Sequence, residues 1–240
     1  MIKVKLTENY GGFYIEGTYD DFNELYDSIY EIIGGEELAN IIEEDMRLHI
    51  LGFQYDLRHA YQGSRNIIAI PNNLSDDQKE CFGIKKSVRE DVLYGFNYLV
   101  TDLILDIILI KNFIKKNPSV PNGFNTSYNV VTTFYSKVVD SLGTILTEVQ
   151  LKKLKKLLIT SSIGPTGYLR QWFTRININY INMSKTKRKK EIIHVLKKIC
   201  EWYNYDEYDY IKKIVYQYAS ENNCVVTDIE MYDYPEHIEW

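Results

Sequence analysis

Val92-Leu93-Tyr94-Gly95-Phe96-Asn97-Tyr98-Leu99-Val100-Thr101-Asp102-Leu103-Ile104-Leu105-Asp106-Ile107-Ile108-Leu109-Ile110 runs on through Lys111 to Lys116 with hardly a polar face. Such a stretch predicts one long helix from Val92 to Lys116, apolar nearly all round and therefore central to its domain. Its most apolar part, Tyr98 to Ile110, is too short to span a bilayer and carries Asp102 and Asp106, each costly in hydrocarbon. No membrane segment is expected. The two aspartates, four apart, share a helical face, which makes them a carboxylate pair or a solvated stripe on a buried helix. The stripe is the commoner arrangement and the expectation.

Upstream, Ile2 to Thr7 and Phe13 to Gly17 alternate polar and apolar residues around Asn9-Tyr10-Gly11-Gly12, the pattern of a two-stranded hairpin. Asp20 or Asp21 then caps a helix whose apolar positions Phe22, Leu25, Tyr26, Ile29, Ile32 and Ile33 repeat at helical spacing, and Gly34-Gly35 stops it. A short acidic helix over Glu36 to Asp45 leads into a second one that ends at Gly63. Ser64 to Pro71 reads as a strand and 72–90 as a polar loop.

Downstream, Pro118, Pro121 and Gly123 end the central helix. Thr126 to Leu142, Thr147 to Ile159, Gly167 to Ile178, Lys187 to Tyr203 and Asp206 to Glu221 each favour helix, with Thr147 and Gln150 forming a capping box. Cys224 to Met231 reads as a closing strand. No repeat or low-complexity linker divides the chain. The prediction is a single α+β domain over residues 1–240, mostly helical, with a small antiparallel sheet near the N-terminus; 117–125 is the alternative boundary.

A chain of 240 residues can bury a core without disulfides or metal, and 45% hydrophobic with 25% charged residues excludes disordered and fibrous classes. Cys81, Cys200 and Cys224 include no C-x-x-C pair, which argues against a disulfide framework and a zinc knuckle. The first residues lack the apolar run of a secretory signal, so a cytoplasmic location is expected. Isoleucine, lysine, asparagine and tyrosine (21 Tyr) are abundant while alanine is scarce, a bias toward AT-rich codons that points to an AT-rich bacterium or its phage. Codon bias makes position more telling than number.

The net charge of −5 hides a partition: residues 147–198 carry +11, while 1–146 and 201–240 carry −8 each. The basic segment reads either as a surface for phosphates or an acidic protein, or as lysines neutralised by the acidic flanks. Arg170, Trp172, Arg175, Lys187, Arg188, Lys189 and Lys190 are its candidate partner-binding residues. Thr147 to Ile178 also has the outline of a helix-turn-helix, although two amphipathic helices and a turn are far more often plain packing. Trp202 and the tyrosines from Tyr203 to Tyr218 supply aromatic area beside the basic run, from which a homodimer through the C-terminal helices is expected.

Tyr55-Asp56-Leu57-Arg58-His59-Ala60-Tyr61-Gln62-Gly63-Ser64-Arg65 is the densest catalytic-looking group. His59 has the chemistry of a general acid or base, with Arg58 or Arg65 to stabilise an anion and Asp56 beside them. The same residues serve equally as a polar lock between helix and strand. His49, His59, His194 and His237 are scattered, and no phosphate-cradling glycine loop occurs, so neither metal nor cofactor is expected.

The helix start Asp20-Asp21-Phe22-Asn23-Glu24-Leu25-Tyr26, the Tyr55 to Gly63 cluster and the closing Tyr234-Pro235-Glu236-His237-Ile238-Glu239-Trp240 together resemble an uncharacterised family of small bacterial proteins, mainly from Firmicutes. That resemblance implies a bacterial cytoplasmic setting and no mechanism. The expectation from the residues is a non-enzymatic regulatory or interaction protein that binds a protein or nucleic acid through 147–198, an accessory of a mobile-element or defence system. The alternative is a nucleic-acid-processing enzyme centred on His59, Arg58 and Arg65.

Overall fold

The structure is a computed structural model that describes residues 1–34, 41–71, 74–81, 83, 90–117, 124–163, 168–229 and 233–240. Its first elements are the expected hairpin, β1 (Lys3–Leu6) against β2 (Gly12–Gly17). The positive φ of the connecting turn falls on Tyr10, at 59°, and not on a glycine. Gly11 and Gly12 are needed for closeness instead. A Cβ on Gly12 would stand 2.3 Å from the Tyr98 carbonyl oxygen, and one on Gly11 2.9 Å from that of Glu239.

Helix α1 (Tyr19–Ile33) buries Phe22, Leu25, Ile29, Ile32 and Ile33. Its cap is Thr18, not Asp20 or Asp21: Asp21 N donates to Thr18 Oγ1 at 3.2 Å, and Thr18 N donates to the Asp21 carboxylate at 3.0 Å. Asp21 therefore takes the third helical position of a capping box. Helix α2 (Ile41–His59) continues into a π turn, Ala60–Ser64, that breaks at Gly63 with φ 82°. Of the acidic helix expected over Glu36 to Asp45, residues 36–40 lie outside the described residues and 41–45 are the first turns of α2. Strand β3 (Asn66–Pro71) follows, and a short helix, α3 (Asp76–Cys81), occupies part of the stretch that reads as loop.

The long apolar stretch proves to be two elements. Glu90–Leu99 is a strand, β4, and only Val100–Lys116 is helix, α4. Strand β4 lies inside an antiparallel sheet of order β1-β2-β4-β3, with Phe96 opposite Ile15, Tyr98 opposite Phe13 and Tyr94 opposite Ile67. Tyr94, Phe96 and Tyr98 alternate as a strand requires, and Gly95 makes room for the Tyr14 ring, whose hydroxyl a Cβ there would meet at 2.3 Å. The chain passes from strand to helix at Leu99 (φ −60°, ψ 138°) with no turn between them.

Downstream come α5 (Thr126–Ser141), α6 (Glu148–Thr160), α7 (Leu169–Ile181), α8 (Lys185–Cys200) and α9 (Asp206–Asn222). Helix α4 is the hub: it buries Leu103, Ile104, Ile108 and Leu109 and packs against α1, α2, α7 and α8. The elements on either side of residues 117–125 share one core, since α5 packs on α1 and β1. The protein is thus a mostly helical α+β domain with a small N-terminal antiparallel sheet.

The closing strand expected over Cys224 to Met231 is replaced, in its described part, by a 3-10 turn at Val226–Asp228. Gln171 on α7 donates its amide to the Val226 and Ile229 carbonyls, both at 2.9 Å, and so takes up acceptors that a ladder would use. Among the described residues no helix is long and apolar enough to cross a membrane.

Candidate functional site

On α2, Asp45, His49, Gly52 and Asp56 recur at i, i+4, i+7 and i+11 and so form one helical face. That face looks across a cleft of about 1030 Å³ toward Arg170, Phe173 and Asn177 of α7, with Asp102 of α4 at its floor and Tyr234 at its rim. Asp56, Tyr98, Asp102 and Tyr234 also line a second lobe of about 480 Å³ that extends along β4 to Arg65 and Trp240. A Cβ on Gly52 would have nothing within 4 Å, so the helix is bare where it lines the cleft.

Beneath the floor lies a buried acid–base cluster. His49 Nε2, sealed from solvent, stands 3.6 Å from Asp106 Oδ1 and 3.9 Å from Asp102 Oδ1. Asp106 is wholly buried, and among the described residues neither of its oxygens makes a well-formed hydrogen bond. Burial pushes its pKa well above the usual carboxylate range; the Asp102 charge adds to this, and the nearby Tyr98 hydroxyl opposes it. Asp102 is also raised by burial, against the pull of His49 and of a 2.6 Å hydrogen bond from Asn177 Nδ2. Burial lowers His49, with the Asp102 charge opposing. Acid values raised and a base value lowered bring the groups toward one another, which eases the passage of a proton between them. Asn177 Nδ2 also donates to the Tyr234 hydroxyl at 2.8 Å, and burial holds that phenol up at about 12, a donor and not an anion at neutral pH.

A family model for a domain of unknown function, DUF6904, matches residues 2–240. The chain belongs to this family. No curated protein and no solved structure matches it. In this DUF6904 chain the expected cluster around His59 is divided. Asp56 and Arg65 reach the cleft, bound to each other at 2.6 Å. His59 and Arg58 line neither lobe: His59 Nδ1 is 2.8 Å from the Tyr55 carbonyl oxygen with its ring against the Tyr55 ring, and Arg58 lies 5.9 Å from the same ring. The residues expected to form a solvated stripe, Asp102 and Asp106, are instead the buried cluster, because the face of α4 they occupy is covered by α2 and α7.

The basic segment is divided as well. Arg170 lines the cleft. Trp172 has no exposure, packed edge-on against Tyr208 at 5.5 Å, so it is a core residue and cannot meet a partner. Arg175 binds Glu207 at 2.8 Å. Arg188 is 1% exposed and also unable to meet a partner: it donates to the carbonyls of Asn9 (3.1 Å), Glu239 (2.5 Å) and Ile181, fastening the closing segment to the β1–β2 turn. Lys187, Lys189 and Lys190 are exposed around it. Helix α7 packs on α4, α8 and α9 with most of its surface buried, which does not suit a helix-turn-helix reader. Cys200 is buried and its thiol pushed up to about 11, an inert arrangement. Among the described residues no group of three or more His, Cys, Asp or Glu side chains is placed to hold a metal ion.

In the sequence His49 is one of four scattered histidines. The spacing of Asp45, His49, Gly52 and Asp56 was the available signal, and it gains meaning only when α4 supplies the facing carboxylates.

Proposed function

We propose that this chain binds a small polar ligand in the cleft between α2, α4 and α7 and exchanges a proton with it through His49 and Asp102. The observation that carries this reading is the coincidence of a large cleft with buried groups of converging pKa at its floor. Gly52 provides the test. A phenylalanine there starts from a Cβ that meets nothing within 4 Å and sets a ring against the cleft wall, and it replaces a residue that weakens a helix interior. Wild type and Gly52→Phe are compared by thermal shift against a panel of amines, amino acids, nucleosides and sugars. Ligands that stabilise wild type and not Gly52→Phe support the reading; identical profiles across the panel reject it. The bias toward AT-rich codons supports a bacterium, Firmicutes included, as the source, and three free cysteines suit a reducing cytoplasm.

A second reading is favoured by one observation. Helices α6 and α8 pack together, and Lys152, Lys153, Lys156, Lys187 and Lys190 on them are exposed and bridge to no described carboxylate. This face suits a polyanionic partner, nucleic acid or acidic protein.

A further inference from the structure

Strand β3 is the last strand of the sheet, with β4 on one side and no described strand on the other. Beyond the β4 ladder, no backbone hydrogen bond from a described residue reaches 66–71. Such an edge holds out unpaired N–H and C=O groups, and folded proteins normally blunt it with a charge, a bulge or a covering element. Asn66-Ile67-Ile68-Ala69-Ile70-Pro71 carries no charge, and its register with β4 runs unbroken from Asn66 to Pro71. Both of its faces are apolar and open. Ile67 (59% exposed) shares with Val92 (42% exposed) the face that continues the core, and Ile70 (38% exposed) lies on the other.

Charge selects the occupant. The chain enters β3 from the last turn of α2, where Arg58 lies over the Tyr55 ring and pairs with no described carboxylate; Arg65, at the start of the strand, is already bound to Asp56. At the exit of β3, Asp91 stands opposite Ile70 on β4, exposed and paired with no described cation. The strand thus has a basic entrance and an acidic exit. Laid antiparallel beside a second copy of itself, each entrance comes to the other's exit, and the opposite charges are matched twice by symmetry. A parallel arrangement would bring each Asp91 toward its own copy.

Two-fold symmetry also restricts the register, because one residue must face itself. With Ile68 at the centre, Ile67 faces Ala69 of the second copy and Asn66 faces Ile70, which leaves Pro71, with no N–H to donate, outside the new ladder.

We infer that β3 is a dimer edge, at which two copies of this chain join antiparallel through residues 66–70 and fuse their sheets into one. The C-terminal helices are less suited, because their aromatic area is largely taken up: Trp202 packs on Tyr208 at 4.6 Å, and Tyr168 on Tyr208 and Tyr216. The inference does not depend on the cleft.

Sedimentation equilibrium of the full chain across the micromolar range tests it. Wild type is expected to form a particle of twice the chain's mass. Ile67→Lys combined with Ala69→Lys, at two exposed positions, sets like charges face to face across the axis and should weaken self-association at least tenfold. Tyr210→Lys, on the exposed side of α9, should leave it unchanged. A wild type that stays monomeric would overturn the inference, as would a dimer indifferent to the two lysines or one broken by Tyr210→Lys. Circular dichroism verifies that the double variant is folded. Should it not be, cross-linking decides: with Cys81→Ser and Cys224→Ser removing the exposed thiols, Ile68→Cys faces its own copy, and oxidised glutathione should join the two chains by a disulfide while Val149→Cys, far more exposed on α6, stays unlinked. No link through Ile68→Cys, or equal linking of both variants, would overturn the inference.

Discussion

His49 Nε2 stands 3.6 Å from Asp106 Oδ1, on a carboxyl group that no solvent reaches. Burial raises the folded-state pKa of Asp106 well above its unfolded value of about 3.9. Over the interval between those values the folded chain holds the extra proton, so this group's contribution to stability is complete below about pH 3.9 and is lost as pH rises through the folded value. His49 is lowered, and its contribution runs the other way: present above about pH 6.5 and lost as pH falls through its folded value. Asparagine mimics the protonated acid and removes the first effect alone. Each pH unit between the two Asp106 values is worth about 1.4 kcal/mol. The melting temperature of Asp106→Asn minus that of wild type should therefore grow from pH 5 to pH 8. A difference that is flat with pH would mean that Asp106 is not held protonated.

Arg188 tests whether the basic cluster is surface or core. Its guanidinium serves the carbonyls of Asn9, Ile181 and Glu239 from a position with almost no exposure, so Arg188→Met leaves acceptors unpaired and loosens residues 233–240. The expected loss is roughly 2–4 kcal/mol, or about 5–15 °C in melting temperature. Lys187→Gln, one position away and exposed, should stay within about 0.5 kcal/mol of wild type. Equal effects of the two would show that Arg188 does not fasten the segment.

Three glycines should answer alanine differently. On Gly12 the new Cβ meets a backbone oxygen at 2.3 Å and the Trp240 ring at 2.7 Å, with no freedom to yield, and a loss of roughly 2–3 kcal/mol or more is expected. On Gly95 it meets the Tyr14 hydroxyl, the far end of a side chain that can swing aside, and the loss should be smaller. Gly52→Ala should gain about 0.5–1 kcal/mol through helix propensity. Denaturant melts of the three variants give the order directly.

The hairpin, α1 and the downstream helices were legible because caps and turns punctuate them, as at Thr147 and Gln150. Strand β4 was not, for two physical reasons. A strand with neighbours on both sides and a covered face reads as continuous apolar sequence, and β4 joins α4 at Leu99 with no turn residue to mark the change of period. Gly95 and Asn97, poor residues for a helix interior, were the local hints. The cleft was legible only in fragments. Asp102 and Asp106 could be paired by spacing, but α4 lies far in sequence from His49 and Asn177, and no local pattern says that three helices converge there.

The exposed lysines of α6 and α8 give a last prediction, independent of the cleft. Lys185 and Lys189 lie 5.9 and 6.0 Å from the Tyr10 ring, and Lys155 pairs with Asp140, so these cations already have neighbours. Of the exposed lysines without a described bridge, Lys152, Lys153, Lys187 and Lys190 can be changed to glutamine together while Arg188 stays in place to hold the fold. If this face meets a nucleic acid, binding of a duplex DNA probe should weaken steeply with salt, because each neutralised phosphate releases counterions with a slope of about −0.9 per contact. The fourfold variant should then lower that slope by roughly 3–4 and leave the melting temperature near wild type. Fluorescence anisotropy across a salt series measures both quantities. Affinity that is indifferent to salt, or a slope unchanged in the variant, would leave these lysines as solvated charge on a packed pair of helices.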